Sequence, residues 1–272
     1  MAKRVMFVHG AWLTPASWES FRLHYEALGH ACSAPTWPFL DRPIAALRKD
    51  PHPALKDLTV EMLVEHYARH VRALPEPPIL IGHSFGGLVV QLLLGRGLGA
   101  AGVAIDPVAP RGVLPGIRAL RAAFPVFSAW NGWNRTLTMS YESFARSFAQ
   151  TLSEPARRVA YERHVVPAPG RLFFEAALGI RVDFEQATRP PLLLIAGEAD
   201  RTIELSMVAA TYQRYQRSQA ITAFKSFAGR SHFLIAEPGW EEIADFAIDW
   251  ANLQTSEAPV AITSVRRSPL LS

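Results

Sequence analysis

Short apolar runs along the chain alternate with longer segments in which apolar residues recur at helical spacing. The apolar runs predict strands at 5–8, 31–35, 79–81, 102–106, 192–196 and 221–227. The segment from Thr59 to Leu74 predicts a helix, because its apolar residues fall on one face and Pro75 ends it. Strands separated by helices are typical of a parallel sheet with helices on both faces. We therefore predict an α/β fold with a mostly parallel sheet of about six strands.

Other helices are predicted from their end signals and their apolar spacing. Ser17 as N-cap and Gly29 as stop bound one helix, and further helices are expected from Phe85 and at 207–215 and 240–250. Residues 37–58 contain several prolines and no sustained period, so an irregular segment is expected there.

The alternation stops after Asp106. Residues 107–188 show no short apolar strand bounded by turns, but they are rich in Phe and Trp, which predicts an insertion of helices. The alternation then resumes. We expect a core formed by 1–106 and 189–254, the insertion at 107–188, and an aperiodic C-terminal tail at 255–272.

Composition narrows the class of protein. The chain has 272 residues, of which 49% are hydrophobic and only 19% charged, so a compact body with a large core is expected. The net charge is +4, but the basic residues are spread along the chain, which argues against a nucleic-acid-binding face. The one cysteine, Cys32, is expected to be a buried, inert thiol. The apolar run at the N-terminus is too short for a signal peptide and no later run could span a bilayer, so we expect a cytoplasmic protein.

A glycine-rich motif lies between the strand at 79–81 and the helix that follows it. It reads Gly82-His83-Ser84-Phe85-Gly86-Gly87, which is Gly-x-Ser-x-Gly in a strand-turn-helix context. A serine at such a sharp turn exposes its hydroxyl above the sheet, and small residues are needed beside it because the strand and the helix approach closely. Ser84 is therefore the candidate nucleophile.

A serine hydroxyl is a poor nucleophile near neutral pH and needs a histidine and a carboxylate to activate it. His232, on the loop between the last predicted strand and the last helix, is the candidate base. Asp200 follows the strand at 192–196 and is the first candidate for the acid. Asp106, which also ends a strand, and Glu198 stay open as alternatives.

The first strand ends in His9-Gly10-Ala11-Trp12. Stabilising an oxyanion takes two N–H donors, and the backbone N–H groups of Ala11 and Phe85 are the candidates. His9 is expected to hold the turn rather than to carry a proton. Trp12 is expected on the wall of a pocket.

These motifs, together with Gly-x-x-Asp at 197–200 and the late histidine, resemble the α/β-hydrolase superfamily from about residue 10 to 254. The chain is similar to its small six-stranded members, such as esterases, methylesterases and hydroxynitrile lyases. The resemblance implies that Ser84 is the nucleophile, His232 the base and Asp200 the acid, without a metal or cofactor. It also implies that the insertion is a cap over the active site.

An aromatic cap predicts a pocket for an apolar or aryl group. The residues expected on its wall, besides Trp12, are Phe124, Trp130, Trp133 and Phe233. Dehalogenases and epoxide hydrolases of this superfamily use an aspartate nucleophile, so Ser84 argues against them. The related lyases have a lysine directly after the histidine, where this chain has Phe233.

The predicted function is hydrolysis of a carboxylic ester, lactone or thioester through an acyl-enzyme. The expected partner is a small-molecule substrate and not a nucleic acid, while the oligomeric state is left open. A ligand-binding receptor or regulatory protein on the same fold is one alternative, and a cofactor-free peroxidase or haloperoxidase is another.

Overall fold

A computed structural model describes residues 3–256, which form an α/β fold around a six-stranded parallel sheet. The strands are β1 (Val5–Val8), β2 (Cys32–Ser33), β3 (Ile79–His83), β4 (Ala101–Ile105), β5 (Thr136–Leu137), β6 (Ala168–Pro169), β7 (Leu192–Gly197) and β8 (Thr222–Phe227). The main sheet has the order β2-β1-β3-β4-β7-β8, and all its neighbouring strands run parallel. This confirms the predicted fold class.

Ten α-helices lie between and around these strands in the described range. They are α1 (Glu19–Ala27), α2 (Ile44–Lys49), α3 (Val60–Arg72), α4 (Phe85–Gly95), α5 (Ile117–Phe127), α6 (Tyr141–Ser143), α7 (Glu154–His164), α8 (Gly170–Leu178), α9 (Leu205–Tyr215) and α10 (Trp240–Thr255). Three short 3-10 helices occur at Pro15–Trp18, Pro53–Asp57 and Gly132–Asn134, and a π-helical turn occurs at Phe144–Phe148.

Two hydrophobic cores lie on the two faces of the sheet, because successive residues of a strand point to opposite sides. Met6 and Val8 of β1 pack with the buried residues of α3, α4 and α9. Val5 and Phe7 pack on the other face with α1 and α10. The central strands are buried throughout, so they read as continuous apolar runs in the sequence.

The segment 37–58 is more regular than the sequence predicted. It forms α2 and the 3-10 helix Pro53–Asp57, in which Leu47 and Leu55 are fully buried. Arg48 also donates to the carbonyl oxygens of Tyr161 and Val165, which ties α2 to the end of α7. Pro43 and Pro53 stand at the two helix starts, where a missing N–H costs nothing, and the other two prolines of the segment lie outside the helices.

The chain between β4 and β7 contains α5, α6, α7 and α8, as an insertion of helices would. It also contains a two-stranded antiparallel sheet of β5 and β6, which the sequence did not predict. Each of these strands has only two residues, too few for a periodic signal. The start of α1 also differs from the prediction: Thr14, not Ser17, accepts the capping hydrogen bond, and it caps a 3-10 turn before the helix.

Cys32 is half-buried rather than buried, and burial raises the pKa of its thiol to about 12. In the described range, no helix has the length and apolarity needed to cross a membrane. Of the predicted tail at 255–272, Thr255 is the last residue of α10, and 257–272 lie outside the described residues.

Candidate active site

Ser84 stands at the sharp turn between β3 and α4, at the carboxyl edge of the sheet. Its backbone has φ 56° and ψ −119°, a strained conformation for a residue with a side chain. Two glycines make the turn possible, because a Cβ on Gly82 would collide with Gly86 and a Cβ on Gly86 would collide with the carbonyl of Val8. The glycine spacing in the sequence thus has a steric cause in the structure.

His232 lies in the loop between β8 and α10 and reaches the same edge of the sheet. Its Nδ1 is 2.6 Å from Oδ2 of Asp200, and both side chains are fully buried. Its Nε2 has no hydrogen-bond partner among residues 3–256, so the Ser84 hydroxyl is not bonded to it in this structure. Ser84 and His232 nevertheless line one cavity. Catalytic hydrogen bonds are often long in ligand-free structures and tighten around substrate.

The protein holds the His232 ring in a neutral state. Burial lowers the pKa of His232 to about 3, because the charged imidazolium is poorly solvated there. The ring packs between His83 and Phe148, with 4.6 Å between ring centroids on each side. With Nδ1–H donated to the carboxylate, the lone pair of Nε2 faces the cavity side and can accept a proton.

Two buried carboxyl groups stand behind His232. Asp200 accepts hydrogen bonds from the backbone N–H groups of Thr202 (2.6 Å) and Ile203 (3.0 Å) in addition to Nδ1 of His232. Asp106 is buried beside Asp200; its Oδ1 accepts the N–H of Gly197 at 2.8 Å, and its Oδ2 has no hydrogen-bond partner among residues 3–256.

The hydrogen bonds decide which of the two carboxyl groups is ionised. Burial raises the pKa of both, and the charge of Asp200 raises that of Asp106 further. Asp200 has more donors around it, so the negative charge belongs on Asp200 and the proton on Asp106. Glu198, the third candidate, is exposed and bonds the Ser226 hydroxyl, away from His232.

The turn after β1 lies directly against Ser84. A Cβ on Gly10 would be 2.9 Å from Cβ of Ser84, so only glycine lets the turn approach this closely. Ala11 and Phe85 both line the cavity beside Ser84. Their backbone N–H groups donate to no other group between residues 3 and 256, which leaves two donors for a bound oxygen.

His9 holds this turn in place. Its Nδ1 bonds the carbonyl of Gly10 at 3.0 Å, and its Nε2 accepts the backbone N–H of Trp37 at 3.2 Å. Burial lowers the pKa of His9 to about 3, so the ring is neutral. Both ring nitrogens are therefore used within the fold.

Three residues that sequence reasoning did not assign to the site support His232. His83 donates from Nε2 to the carbonyl of His232 at 2.8 Å, and Phe148 packs on the imidazole ring. Glu237 accepts the N–H and the hydroxyl of Ser231 at 3.1 and 2.7 Å, which anchors the loop one residue before the histidine. These partners are up to 149 residues apart in the chain, so no local pattern indicated them.

A cavity of about 730 Å³ opens above Ser84. Its wall is mostly apolar and is contributed largely by the chain between β4 and β7, including Val108, Val126, Leu137, Met139, Phe173 and Ala176. Trp12 lines it, stacked 4.4 Å from Phe173. The polar groups that reach the cavity are few, and Ser84 and His232 are among them.

The other four predicted wall residues lie elsewhere. Phe233 is buried in the core beside Phe144, because it follows His232 on the inner side of the loop. Phe124 and Trp130 point into solvent, 68% and 88% exposed. Trp133 packs on Phe174 and under Arg171 without reaching the cavity. The prediction for these four residues was wrong, since aromatic content does not say which way a ring points.

One cluster in the described residues has the ligand types and the proximity for a metal ion. His83, Asp106 and His232 each offer one ligand atom, all within 4.8 Å of one another. The spacing of these residues along the chain gave no sign of this cluster. His83 and His232 each use one ring nitrogen for a hydrogen bond within the fold. An ion at this cluster would bind the other nitrogen of His232, the candidate base for Ser84.

The chain is similar to several solved structures of low sequence identity. It shares 16% identity with polyneuridine aldehyde esterase at a TM-score of 0.66, covering 92% of this chain and 100% of that one. It shares 15% identity with tomato methylketone synthase I complexed with 2-tridecanone at a TM-score of 0.68, covering 93% and 99%. A pyrethroid hydrolase from Sphingobium faniae shares 19% at a TM-score of 0.61, covering 93% and 98%. These likenesses show the fold.

No curated protein matches the sequence significantly. The alpha/beta hydrolase family matches residues 5–246, which include the strained serine turn, both buried aspartates and His232. This confirms the resemblance seen in the motifs: the chain belongs to the alpha/beta hydrolase family.

Proposed function

We propose that the protein is a serine hydrolase that cleaves a carboxylic ester, or a related lactone or thioester, through an acyl-enzyme on Ser84. The observation that carries the proposal is the buried, neutral His232, bonded to Asp200 through Nδ1 and open at Nε2 in the cavity that contains Ser84. A strained serine and an unused imidazole nitrogen in one cavity are the parts that acyl transfer needs.

In the proposed reaction, Nε2 of His232 takes the proton of Ser84 while Oγ attacks the ester carbonyl carbon. The carbonyl oxygen becomes negative and accepts hydrogen bonds from the N–H groups of Ala11 and Phe85. The imidazolium then gives its proton to the leaving alcohol as the C–O bond breaks. Water repeats the sequence on the acyl-enzyme: His232 takes its proton, the acid leaves, and Ser84 regains its hydrogen.

Asp200 is the proposed acid of this triad, and its charge stabilises the imidazolium that forms on His232. Asp106 is the proposed positioning residue: its Oδ1 is held by the N–H of Gly197, it is buried beside Asp200, and a proton on its unpartnered Oδ2 would bond Asp200. This arrangement keeps one negative charge, not two, behind the histidine.

The proposed substrate carries an apolar or aryl group. Support comes from the apolar wall and the volume of about 730 Å³, within the range of pockets that enclose drug-sized ligands. Polyneuridine aldehyde esterase and the pyrethroid hydrolase, which share this fold, are in keeping with this class of substrate. The cytoplasmic location stays a prediction.

The test is a panel of p-nitrophenyl and aryl esters of graded acyl length, with matching lactones and thioesters, assayed with wild type and Ser84→Ala. Ser143→Ala is the matched control, since Ser143 also lines the cavity. We expect turnover that Ser84→Ala abolishes and Ser143→Ala retains. A fluorophosphonate probe should label wild type at Ser84, identified by mass spectrometry.

The alternatives give different results. Tight binding of ligands without turnover or probe labelling would favour a receptor and would refute the proposal. Turnover that requires hydrogen peroxide and a carboxylate would favour the peroxidase. Equal loss in Ser84→Ala and Ser143→Ala would show a general effect on the cavity and would remove the support for a nucleophile.

A further inference from the structure

An apolar stripe runs along the solvent side of α5. Ile117, Leu120, Phe124 and Phe127 follow one another at spacings of three or four residues, and all four are exposed. The opposite side of the helix is buried through Ala119 and Val126. A helix that covers the core with one face and shows large apolar side chains on the other has an unpartnered apolar surface.

Three more large apolar side chains are exposed before α5, after α5 and at the end of α8. Leu114 before α5, Trp130 after it and Leu178 at the end of α8 are exposed by 84%, 88% and 75%. We call the seven residues Leu114, Ile117, Leu120, Phe124, Phe127, Trp130 and Leu178 the apolar rim. Exposed apolar residues scattered singly need no explanation, but a group of this size marks an interaction site.

Four of the seven residues of the apolar rim lie at the mouth of the cavity. Leu114, Leu120, Phe127 and Leu178 are exposed and at the same time line the cavity above Ser84. Side chains that touch both the cavity and solvent mark where the cavity opens. Whatever covers the rim therefore faces the entrance to the site.

The chain segment that carries most of the rim has charges of one sign, and the acidic group against it is Glu204, whose carboxylate bonds the start of α5. From 107 to 141 the sequence has four arginines, Arg111, Arg118, Arg121 and Arg135, and no acidic residue. All four are exposed, and none has a salt bridge within residues 3–256. On α5, Arg118 and Arg121 flank the apolar stripe, which places positive charge next to apolar side chains.

We propose that the apolar rim docks on an anionic lipid surface, with the cavity mouth facing the lipid. Apolar side chains enter the boundary between headgroups and acyl chains, and the flanking arginines bind the negative headgroups. Lys or Arg beside an anionic membrane contributes about 1 kcal/mol of attraction each, which is about a fivefold gain in partitioning. A second copy of this chain is a poorer occupant, since it would bring the same arginines against each other.

The rigid mounting of α5 fits this role. Oε1 of Glu204 accepts the backbone N–H groups of Arg118 and Ala119 at 2.7 and 2.9 Å, which fixes the start of the helix to the core. The apolar stripe is therefore held outward in the structure and needs no rearrangement before docking.

The first experiment is co-sedimentation of the Ser84→Ala protein with vesicles of phosphatidylcholine alone or with 30 mol% phosphatidylglycerol. Ser84→Ala removes turnover, so docking is measured independently of the proposed function. We expect binding to the anionic vesicles, and at least about tenfold weaker binding to neutral ones or in 1 M salt. Absence of binding to anionic vesicles would overturn the proposal and would leave the esterase proposal untouched.

The second experiment uses paired variants in the same background. Phe124→Asp removes a rim residue that does not line the cavity, and Leu253→Asp on α10 is the control at another exposed apolar position. We expect Phe124→Asp to weaken binding at least about tenfold and Leu253→Asp to leave it unchanged. Both variants should keep the circular dichroism spectrum and melting temperature of the parent, and Phe124→Asp with Ser84 restored should hydrolyse soluble esters normally.

Charge is tested in the same way. Arg118→Glu with Arg121→Glu should weaken binding about 30-fold or more, because two attractive charges are lost and two repulsive ones gained. Arg69→Glu with Arg72→Glu has the same spacing and the same change in net charge on α3, away from the rim, and should have a far smaller effect. Equal losses in the two pairs would show non-specific attraction by net charge and would overturn the proposed surface.

The fluorescence of Trp130 reports whether the apolar rim faces the lipid. Its fluorescence should shift to the blue on anionic vesicles, and the shift should disappear in Trp130→Phe while binding persists. Light scattering tests the other occupant: a dimer that Phe124→Asp converts to a monomer would show that a second copy covers the rim, and it would overturn the proposal.

Discussion

Exchanging each buried carboxyl for its amide separates the roles of Asp200 and Asp106. The two substitutions, Asp200→Asn and Asp106→Asn, are the same chemical change on neighbouring groups at the carboxyl edge of β4 and β7. The two carboxyl groups differ in their hydrogen-bond partners. The comparison therefore tests which aspartate supports His232 without changing the size of either side chain.

Asp200→Asn should cost most of the activity. The amide offers its own N–H groups toward Nδ1, so the imidazole would carry its proton on Nε2 and could no longer accept one from Ser84. The equivalent change in a serine protease lowers kcat by about 10⁴. We expect a loss of similar size here, which is about 5 kcal/mol of transition-state stabilisation.

Asp106→Asn should keep activity within about tenfold. The amide oxygen can still accept the N–H of Gly197, and the amide N–H can take the place of the proposed proton between Asp106 and Asp200. A tenfold loss of activity corresponds to about 1.4 kcal/mol of transition-state stabilisation.

Asp106→Asn should also change how stability depends on pH. The raised pKa of Asp106 means that the folded protein holds a proton which the unfolded chain releases above about pH 4. As pH rises toward the raised pKa, the Asp106 carboxyl therefore lowers the free energy of unfolding of the wild type by up to about 1.4 kcal/mol per pH unit. The amide variant has no such loss. Relative to wild type, the variant should gain stability as pH rises above about 4 toward the raised pKa of Asp106.

The assay is kcat/KM on the best ester of the panel, together with urea unfolding at several pH values. Two results would refute the reasoning. If Asp106→Asn lost about 10⁴ while Asp200→Asn stayed active, Asp106 would be the acid, the alternative that the sequence left open. If the difference in stability between wild type and Asp106→Asn did not change with pH, Asp106 would not hold the proton.

Further predictions concern the histidines, the serine and the aromatic residues. Ser84→Ala and His232→Ala should each lower kcat by about 10³ to 10⁶, and the double variant should be hardly worse; additive losses would contradict a joint role. Because His232 must be neutral to take the proton of Ser84 and burial lowers its pKa, kcat/KM should fall through one ionisation as pH drops below 6.5, and activity that stays constant or rises as pH drops would contradict a histidine base. The contribution of His9 to stability should be full above pH 6.5 and decline below it, opposite in direction to that of Asp106, since His9 is neutral when folded and charged when unfolded; a difference in urea midpoint between wild type and His9→Gln that does not change between pH 7 and 5 would count against this. Phe233→Ala should destabilise by about 3 to 5 kcal/mol and Trp130→Ala by less than about 0.5 kcal/mol, and equal melting temperatures would contradict their different burial.

The serine turn and the central strands could be predicted from the sequence because local steric constraints determine them. The strained turn at Ser84 needs glycines at fixed positions, because backbone atoms meet there, and this requirement appears as a short motif. The buried central strands appear as apolar runs, since both of their faces are covered. The fold class and the candidate residues Ser84 and His232 follow from such local patterns.

The choice between carboxyl groups depended on the sheet. Asp106 and Asp200 both end strands, and the sequence does not say that β4 and β7 are neighbours across an insertion of more than 80 residues. Only the strand order brings the two carboxyls together, and only the backbone N–H groups of Thr202 and Ile203 favour the charge on Asp200.

The direction of aromatic side chains was also beyond the sequence. Phe and Trp have the same spacing whether they fill a core, line a cavity or face solvent, because helical periodicity reports a face and not what covers it. The structure places Phe233 in the core, Phe173 on the cavity wall and Phe124 in solvent. The sequence by itself determined the class of fold and the strained serine turn, since these depend on contacts between near neighbours in the chain. The tertiary structure decided the proton arrangement behind His232, the cavity wall and the exposed apolar rim, because these depend on which distant segments pack together.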